Sequence, residues 1–375
     1  MDRPIYLDHN ATTSLDPAIL AEMTPFLTGP PGNPSSKHSF GRKARQAVEK
    51  SRERIAVALD CETSEVVFTS GATEANNLAC NVFENPGRTL VSSVEHPSAL
   101  EPMLELRKRG CEVVEVPVNE FGRVNVDTFD PTGVRLVCIQ AANSETGVVQ
   151  PIHRLAAKRG PARFHCDAVQ AIGKIPLSFR SLGVTSLAIS GHKINGPMGV
   201  GALIVRTDSP ILPTMHGGGQ QGGLRPGTEP VAAIVGLAAA VEIAVARMEE
   251  DSARIAGLRN RFESQLLDRH PTLMLNPDGE VERLPNTSNV SFPGVPAAAM
   301  VMRLDLEGVA CSAGSACSSG SMTPSKVLAA MGYSGDRLVG AVRFSLGRFT
   351  TAEEIDQAVE IVADVYSKVR EGFAK

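Results

Sequence analysis

Between Glu65 and Val205 the chain alternates between short apolar runs and segments with helical spacing. The apolar runs predict strands over Glu65–Thr69, Thr89–Ser92, Glu112–Val116, Leu136–Gln140, Arg163–Cys166, Ser186–Ile189 and Gly201–Val205. Their apolarity is continuous rather than alternating, as expected when both faces of a sheet are covered. Helices are predicted over Gly41–Leu59, Thr73–Phe83, Ser98–Arg109 and Ile152–Lys158. This alternation implies an α/β layer architecture with a parallel sheet and right-handed crossovers.

Beyond Val205 the pattern changes. Gly217–Gly227 reads as a long loop, and one helix is predicted from Val231 to Leu267. The remainder reads as a smaller α+β unit with strands at Thr287–Phe292 and Ala341–Ser345. Its closing helix, Thr351–Val369, opens on Thr351 with Glu354 three residues later, a capping-box pattern. A chain of 375 residues is too long for one compact core, so two domains are expected.

Composition narrows the function. Hydrophobic residues make up 42% and charged residues 21%, the balance of a soluble globular protein. The formal charge of −4 offers no basic field for nucleic acid or anionic lipid. Met1–Tyr6, with Asp2, Arg3 and Pro4, has no apolar core of a secretory signal. The most apolar stretch, Val231–Met248, is Ala-rich, with Glu242 and Arg247 near its end; it reads as a buried or domain-linking helix rather than a membrane span. Seven cysteines, an odd number with no CxxC pair, read as a reduced cytoplasmic protein without disulfides, structural zinc or other metal.

Four local constellations carry chemistry, each at a strand end or in a loop, where α/β sheets place ligands. In Thr69-Ser-Gly-Ala-Thr-Glu-Ala-Asn76 a strand ends, Gly71 turns and Thr73 opens a helix, which makes an anion site or an ordinary helix cap. In His165-Cys-Asp-Ala-Val-Gln170, Asp167 ends an apolar strand, where a carboxylate suits a cationic nitrogen or caps the next helix. In Ser190-Gly-His-Lys193, Lys193 is a candidate Schiff-base amine and Ser190 and His192 are candidate phosphate donors; a surface turn lysine is the alternative. In Cys311-Ser-Ala-Gly-Ser-Ala-Cys-Ser-Ser-Gly320, small residues cannot build a core, so the segment is expected to be mobile. Cys317 reads there as an exposed attacking thiolate and Cys311, after an apolar run, as a buried inert one.

His96 follows a strand and is a ring-stacking candidate. His9, His38, His153, His216 and His270 read as surface or core histidines. Arg343, inside an apolar strand, needs an anionic partner: a substrate carboxylate or an internal ion pair.

Together these segments resemble a known family. From Tyr6-Leu-Asp-His-Asn-Ala-Thr-Thr13 to Arg343-Phe-Ser-Leu-Gly-Arg348 the chain resembles the cysteine desulfurases of the nitrogenase and iron–sulfur-cluster type, among the fold-type I pyridoxal-phosphate (PLP) enzymes of aminotransferase class V. Ser315-Ala-Cys-Ser318 resembles the subgroup with a long mobile sulfur loop. The resemblance implies a large PLP-binding α/β domain over 14–250 and a small α+β domain formed by 1–13 and 251–375. It implies that Lys193 carries PLP, Asp167 pairs with the pyridine nitrogen, Gln170 contacts the ring hydroxyl oxygen and His96 stacks on the ring and moves protons. Ala72, Thr73, Ser190 and His192 would bind the phosphate, joined by Thr228 from a second copy in a homodimer. Arg343 would hold the carboxylate of L-cysteine, and Cys317 would take the sulfur as a persulfide before passing it to an acceptor protein such as an iron–sulfur scaffold.

Two departures stand out. Ser144 replaces the second Asn of the family's Asn-Asn-Glu, leaving open whether Asn143 or Ser144 touches the cofactor. Gln221-Gly222 replaces a Glu-Arg pair. The rival readings are a selenocysteine lyase, a class V aminotransferase, which would need no Cys317, and a non-catalytic scaffold paralogue, against which Lys193, Asp167 and Cys317 together argue.

Overall fold

The computed structural model describes residues 4–81, 87–209, 211–314 and 324–373. After a short strand β1 (Ile5–Tyr6) come helices α1 (Pro17–Leu27) and α2 (Ser39–Leu59). Then follow β2 (Val66–Thr69), α3 (Ala72–Cys80), β3 (Arg88–Ser92), α4 (Pro97–Lys108), β4 (Glu112–Val116) and β5 (Val134–Cys138). The chain continues through α5 (Ile152–Ala157), β6 (Arg163–Asp167), α6 (Phe179–Leu182), β7 (Ser186–Ser190) and β8 (Gly201–Val205).

These strands form one seven-stranded sheet in the order β2-β8-β7-β6-β5-β3-β4. Strands β7, β6, β5, β3 and β4 are parallel neighbours, as their continuous apolarity predicts. Strand β8 departs from this expectation and runs antiparallel to both β7 and β2. Only residues 191–200 separate β7 from β8, too few for a helical crossover back to a parallel start. Both faces are covered. Val66, Phe68, Leu187, Ile189, Ala202 and Ile204 pack with α1, α2 and the later helix Val231–Ala246, while Val67, Ala188, Leu203 and Val205 pack with α3. Strands β2, β3, β5, β6 and β7 all end at one sheet edge, and the segments leaving that edge carry Ala72, Thr73, His96, Ser144, Gln170, His192 and Lys193, with Asp167 and Ser190 at the ends of β6 and β7.

The helix expected over Val231–Leu267 is two helices, α7 (Val231–Ala246) and α8 (Met248–Arg269), bent by 71°. Composition explains the break. Ile234–Val241 is buried on the large sheet, whereas α8 begins Met-Glu-Glu-Asp and lays Ile255, Phe262 and Leu266 on a different apolar cluster. No single helix among the described residues is long and apolar enough to cross a membrane.

That second cluster covers a three-stranded antiparallel sheet in which β10 (Thr287–Ser291) lies between β9 (Met274–Leu275) and β12 (Ala341–Ser345). Helices α9 (Ala297–Leu306) and α12 (Ala352–Phe373) pack with it; α10 (Lys326–Ala330) and α11 (Gly335–Val339) are short. Strand β11 (Val309–Ala310) pairs with β1, tying the N-terminus to this part of the chain. The capping box ahead of α12 is present: Glu354 N donates to Thr351 Oγ1 and Thr351 N to Glu354 Oε2.

Candidate active site

The turn from β2 into α3 depends on two glycines. Gly71, before the first helical residue, has φ 156° and ψ −179°, a conformation costly for any residue with a Cβ. Gly201 on β8 packs beneath it; a Cβ there would lie 2.8 Å from Gly71 Cα and 2.5 Å from Ile189 O. Gly71 has no side chain to cap α3, and Glu74 is occupied elsewhere, with Ser70 N at 2.8 Å and Arg225 Nε at 2.9 Å. The first N–H groups of α3, those of Ala72 and Thr73, therefore carry no side-chain cap, which suits an anion. The buried Ser190 lies against this turn.

Asp167 ends β6 and is 7% exposed. Its Oδ2 accepts from Asn76 Nδ2 at 2.8 Å and its Oδ1 from Val169 N at 3.0 Å. Among the described residues no cationic side chain forms an ion pair with it. Asn76 Oδ1 is 2.9 Å from His165 Nε2, and His165 Nδ1 is 2.9 Å from Ser186 Oγ. Burial pulls the His165 pKa down to about 4, so its ring is neutral and orients Asn76 without adding charge.

Lys193 lies in the turn that follows β7, and its Nζ donates to the carbonyls of Asn10 at 2.6 Å and Ala11 at 2.7 Å. Burial, then the Arg343 charge, lower its pKa to about 8 against the pull of Asp8 and Asp167. His192 Nδ1 is 3.1 Å from Thr12 Oγ1, and burial beside Lys193 takes it to about 4. His96 precedes α4, where its Nδ1 meets Ser98 N at 3.1 Å and Ser98 Oγ at 2.7 Å. Ser98 Oγ also accepts from Asn76, linking His96 to the Asp167 network. Desolvation lowers the His96 pKa, opposed by Asp167 and reinforced by Lys193.

Gln170 is buried and donates from Nε2 to Asn10 O at 3.0 Å. Arg343 on β12 donates from Nη2 to Asp8 Oδ1 at 2.6 Å and from Nη1 to Ser144 O at 3.3 Å. Its Nε has no hydrogen-bond partner among the described residues. The internal ion pair is thus present, and the unused N–H remains for a further anion.

The structure separates Asn143 from Ser144. The Asn143 side chain is spent on backbone and loop contacts, accepting from Glu145 N, Thr146 N and Thr146 Oγ1 in its own loop and donating to Val94 O in the segment after β3. Ser144 is the partly exposed residue of an otherwise buried stretch, 141–150. The Gln221-Gly222 departure has a structural account. Gln221 Oε1 accepts from Phe68 N at 2.9 Å and Arg52 Nη2 at 3.1 Å, pinning the Gly-rich loop to β2. Gly222 there has φ 64°, a left-handed conformation that disfavours an arginine.

Thr228 is exposed on that loop and forms no hydrogen bond with this group among the described residues. Cys317 lies outside the described residues. Cys311 is half-buried beside β11, and burial pushes its thiol far up. Sequence reasoning assigned no role to Asn76, Asp8, Asn10 or Lys174, which join the site through side-chain and carbonyl contacts. A weak signal existed for Asn76, since its four-residue spacing from Ala72 puts both on one face of α3.

The donor set has four parts: helix N–H groups without a side-chain cap, a carboxylate with no cationic partner among the described residues, a depressed amine and a guanidinium whose five N–H groups are only partly used. These suit the phosphate, ring nitrogen and aldehyde of pyridoxal phosphate and the carboxylate of an amino acid, so the residues fit that cofactor.

Comparison with known proteins agrees. The family model described as aminotransferase class-V matches residues 5–358. The cysteine desulfurase IscS of Dictyoglomus turgidum is 41% identical, over 99% of this chain and 96% of its own. A cysteine desulfurase of Sinorhizobium fredii is 42% identical over 98% of each. The solved structure of a NifS-like protein superposes with a TM-score of 0.89 at 37% identity, covering 97% of this chain and 100% of its own. The chain belongs to the class-V aminotransferase family and, within it, to the pyridoxal-phosphate-dependent cysteine desulfurases.

Proposed function

We propose that the chain converts L-cysteine to L-alanine and takes the sulfur onto Cys317 as a persulfide, with Lys193 as the amine that carries the cofactor. The observation that supports this most directly is an amine lowered to about 8 at the same sheet edge as the buried Asp167 carboxylate.

Bound pyridoxal phosphate supplies an aldehyde that takes up an amine and a ring that withdraws electrons from the substrate α-carbon. The chain's own groups do the rest. The N–H groups of Ala72 and Thr73, with Ser190 and His192, would hold the phosphate. Asp167 would keep a proton on the ring nitrogen, and Gln170 and Ser144 would donate to ring oxygen. His96 would lie against the ring face, and Arg343 would bind the substrate carboxylate. Lys193, partly unprotonated near neutral pH, would take the α-proton and later return one. The Cys317 thiolate would attack the substrate sulfur. A C–S bond breaks, an S–S bond forms and the product carbon gains a proton, so no external oxidant or reductant is consumed.

The same reading makes the active form a homodimer, in which Thr228 reaches the phosphate of a second copy. It also includes a cytoplasmic location, consistent with six free cysteines among the described residues. A protein such as an iron–sulfur scaffold would accept the sulfur. The division into 14–250 and 1–13 with 251–375 is supported by two separate apolar clusters. Borohydride reduction of the purified protein followed by peptide mapping tests the central assignment. The label is expected on the Lys193 peptide; label on any other lysine ends it.

A further inference from the structure

A second amine lies behind Lys193. Lys174 Nζ donates to Gln170 Oε1 at 2.8 Å, and Gln170 Nε2 donates to Asn10 O, the carbonyl that also accepts from Lys193. One carboxamide and one carbonyl therefore join the two lysine amines. Both lysines also line one small cavity of about 60 Å³ with His9, Asn286 and Arg348.

Lys174 has no carboxylate partner among the described residues. The charged and titratable groups around it come from four segments. Lys193 and Arg343 are cationic, and His9 from the N-terminal segment is held neutral with its pKa near 4. Arg348 binds Asp16 and Asp251, and Asp251, which lines the same cavity, is also held by Arg247. Asp8 is taken by Arg343. Burial, then Lys193 and Arg343, bring Lys174 down to about 7. A methionine would fill this place without desolvating an amine, so packing alone does not account for a lysine.

The amide of Gln170 supplies the reason. A carboxamide has an accepting end and a donating end of nearly equal shape. While protonated, Lys174 only donates, so it fixes Oε1 toward itself, and the Asn10 carbonyl, which only accepts, holds the NH₂ end on the side of the site. One N–H then goes to the Asn10 carbonyl and one is left for an acceptor. We propose that Lys174 is a positioning residue that locks the Gln170 amide in the orientation presenting an N–H to the cofactor's ring oxygen. This rests on the reading of Gln170 given under Proposed function.

The test compares Lys174→Met, Lys174→Arg, Gln170→Leu and the Lys174→Met/Gln170→Leu double variant as holoenzymes. The primary readout is the ratio of near-ultraviolet to visible absorption of the bound cofactor across pH, with kcat and KM for L-cysteine beside it. Lys174→Met is expected to change the ratio as Gln170→Leu does, and the double variant to be no worse than either single one. In Lys174→Met, kcat should fall about ten- to a hundredfold with KM nearly unchanged, the size expected for one hydrogen bond to a charged group. Lys174→Arg, which also only donates, should retain the parent ratio. A changed spectrum in Gln170→Leu with an unchanged one in folded Lys174→Met would overturn the proposal and leave the Gln170 contact intact. An unchanged spectrum in Gln170→Leu would remove the Gln170 contact and this proposal with it, while Lys193 and Asp167 keep their assignments. Should Lys174→Met not fold, Lys174→Gln makes the same distinction, because its amide can meet either end of Gln170.

Discussion

Arg343 and Asp8 form an ion pair of 2.6 Å, joining β12 to the segment after β1 across 335 residues of sequence. The guanidinium assigned to the substrate carboxylate is thus already held by a carboxylate of the chain. Its geometry is fixed before substrate arrives, and its Nε still has no hydrogen-bond partner among the described residues. The pair is largely buried, so removing one member leaves an uncompensated charge. Asp8→Asn is expected to lower the melting temperature, by a loss of about 3 kcal/mol. L-alanine should restore more of that loss than it adds to the parent protein. Arg343→Lys, which cannot keep the fork, should raise KM for L-cysteine at least about tenfold with the cofactor spectrum unchanged. Equal melting temperatures for the parent and Asp8→Asn would show that the pair is not a structural anchor.

Gly201 allows the β2–α3 turn to sit where it does. A methyl group there would meet Ile189 O at 2.5 Å, in the neighbouring strand β7, and Gly71 Cα at 2.8 Å, in the turn, both backbone atoms. Gly201→Ala should push the start of α3 outward and weaken pyridoxal-phosphate binding by about tenfold or more, through loss of alignment at the phosphate donors. Equilibrium titration of the cofactor-free protein checks this; parent-like affinity would show that the turn adjusts freely.

His165 sets an acid limit on stability. Its pKa is about 4 in the folded chain and near 6.5 when unfolded. Between those values the unfolded state binds more protons, so stability rises with pH through this window and falls as pH drops from 6.5 toward 4. The shift corresponds to about 3 kcal/mol for this buried ring. His9 and His192 are lowered in the same direction. Denaturant midpoints measured from pH 4 to 7 should therefore slope upward, and His165→Gln should flatten the slope even if it lowers the midpoint overall. An unchanged slope in that variant would place the acid sensitivity elsewhere.

The two cysteines of the small-residue segment should behave differently. Cys311 adjoins β11, next to Ser312, whose backbone pairs with Arg343, and burial pushes its thiol up, so it is a poor nucleophile. Cys311→Ala should retain most activity. Cys317→Ala should still bind cofactor and change its spectrum with L-cysteine, but form no persulfide and almost no alanine. Mass spectrometry without reductant, after reaction with L-cysteine, decides the matter; an added sulfur on the Cys311 peptide alone would reverse the assignment.

Much of this fold was legible along the chain because its signals are local. Continuous apolar runs placed the strands, and Thr351 with Glu354 placed the start of the last helix. Segment motifs located Lys193, Asp167 and His96 at the ends of strands or the starts of helices. The direction of β8 was missed because the runs carry no record of strand direction; the short link from β7 imposed it. The bend at Arg247 was missed because helix propensity runs through it, while two separate apolar clusters claim the two halves.

By itself the sequence determined the layer architecture, the strand and helix order and the chemical kinds of group at the sheet edge, since each follows from spacing within a few residues. Only the tertiary structure decided what each group faces. Asn76 meets Asp167 across 91 positions, Lys193 meets Asn10 across 183, and Asp8 meets Arg343 across 335. A buried polar side chain is defined by its partner, and partners so distant in sequence become neighbours only when the sheets and helices have packed.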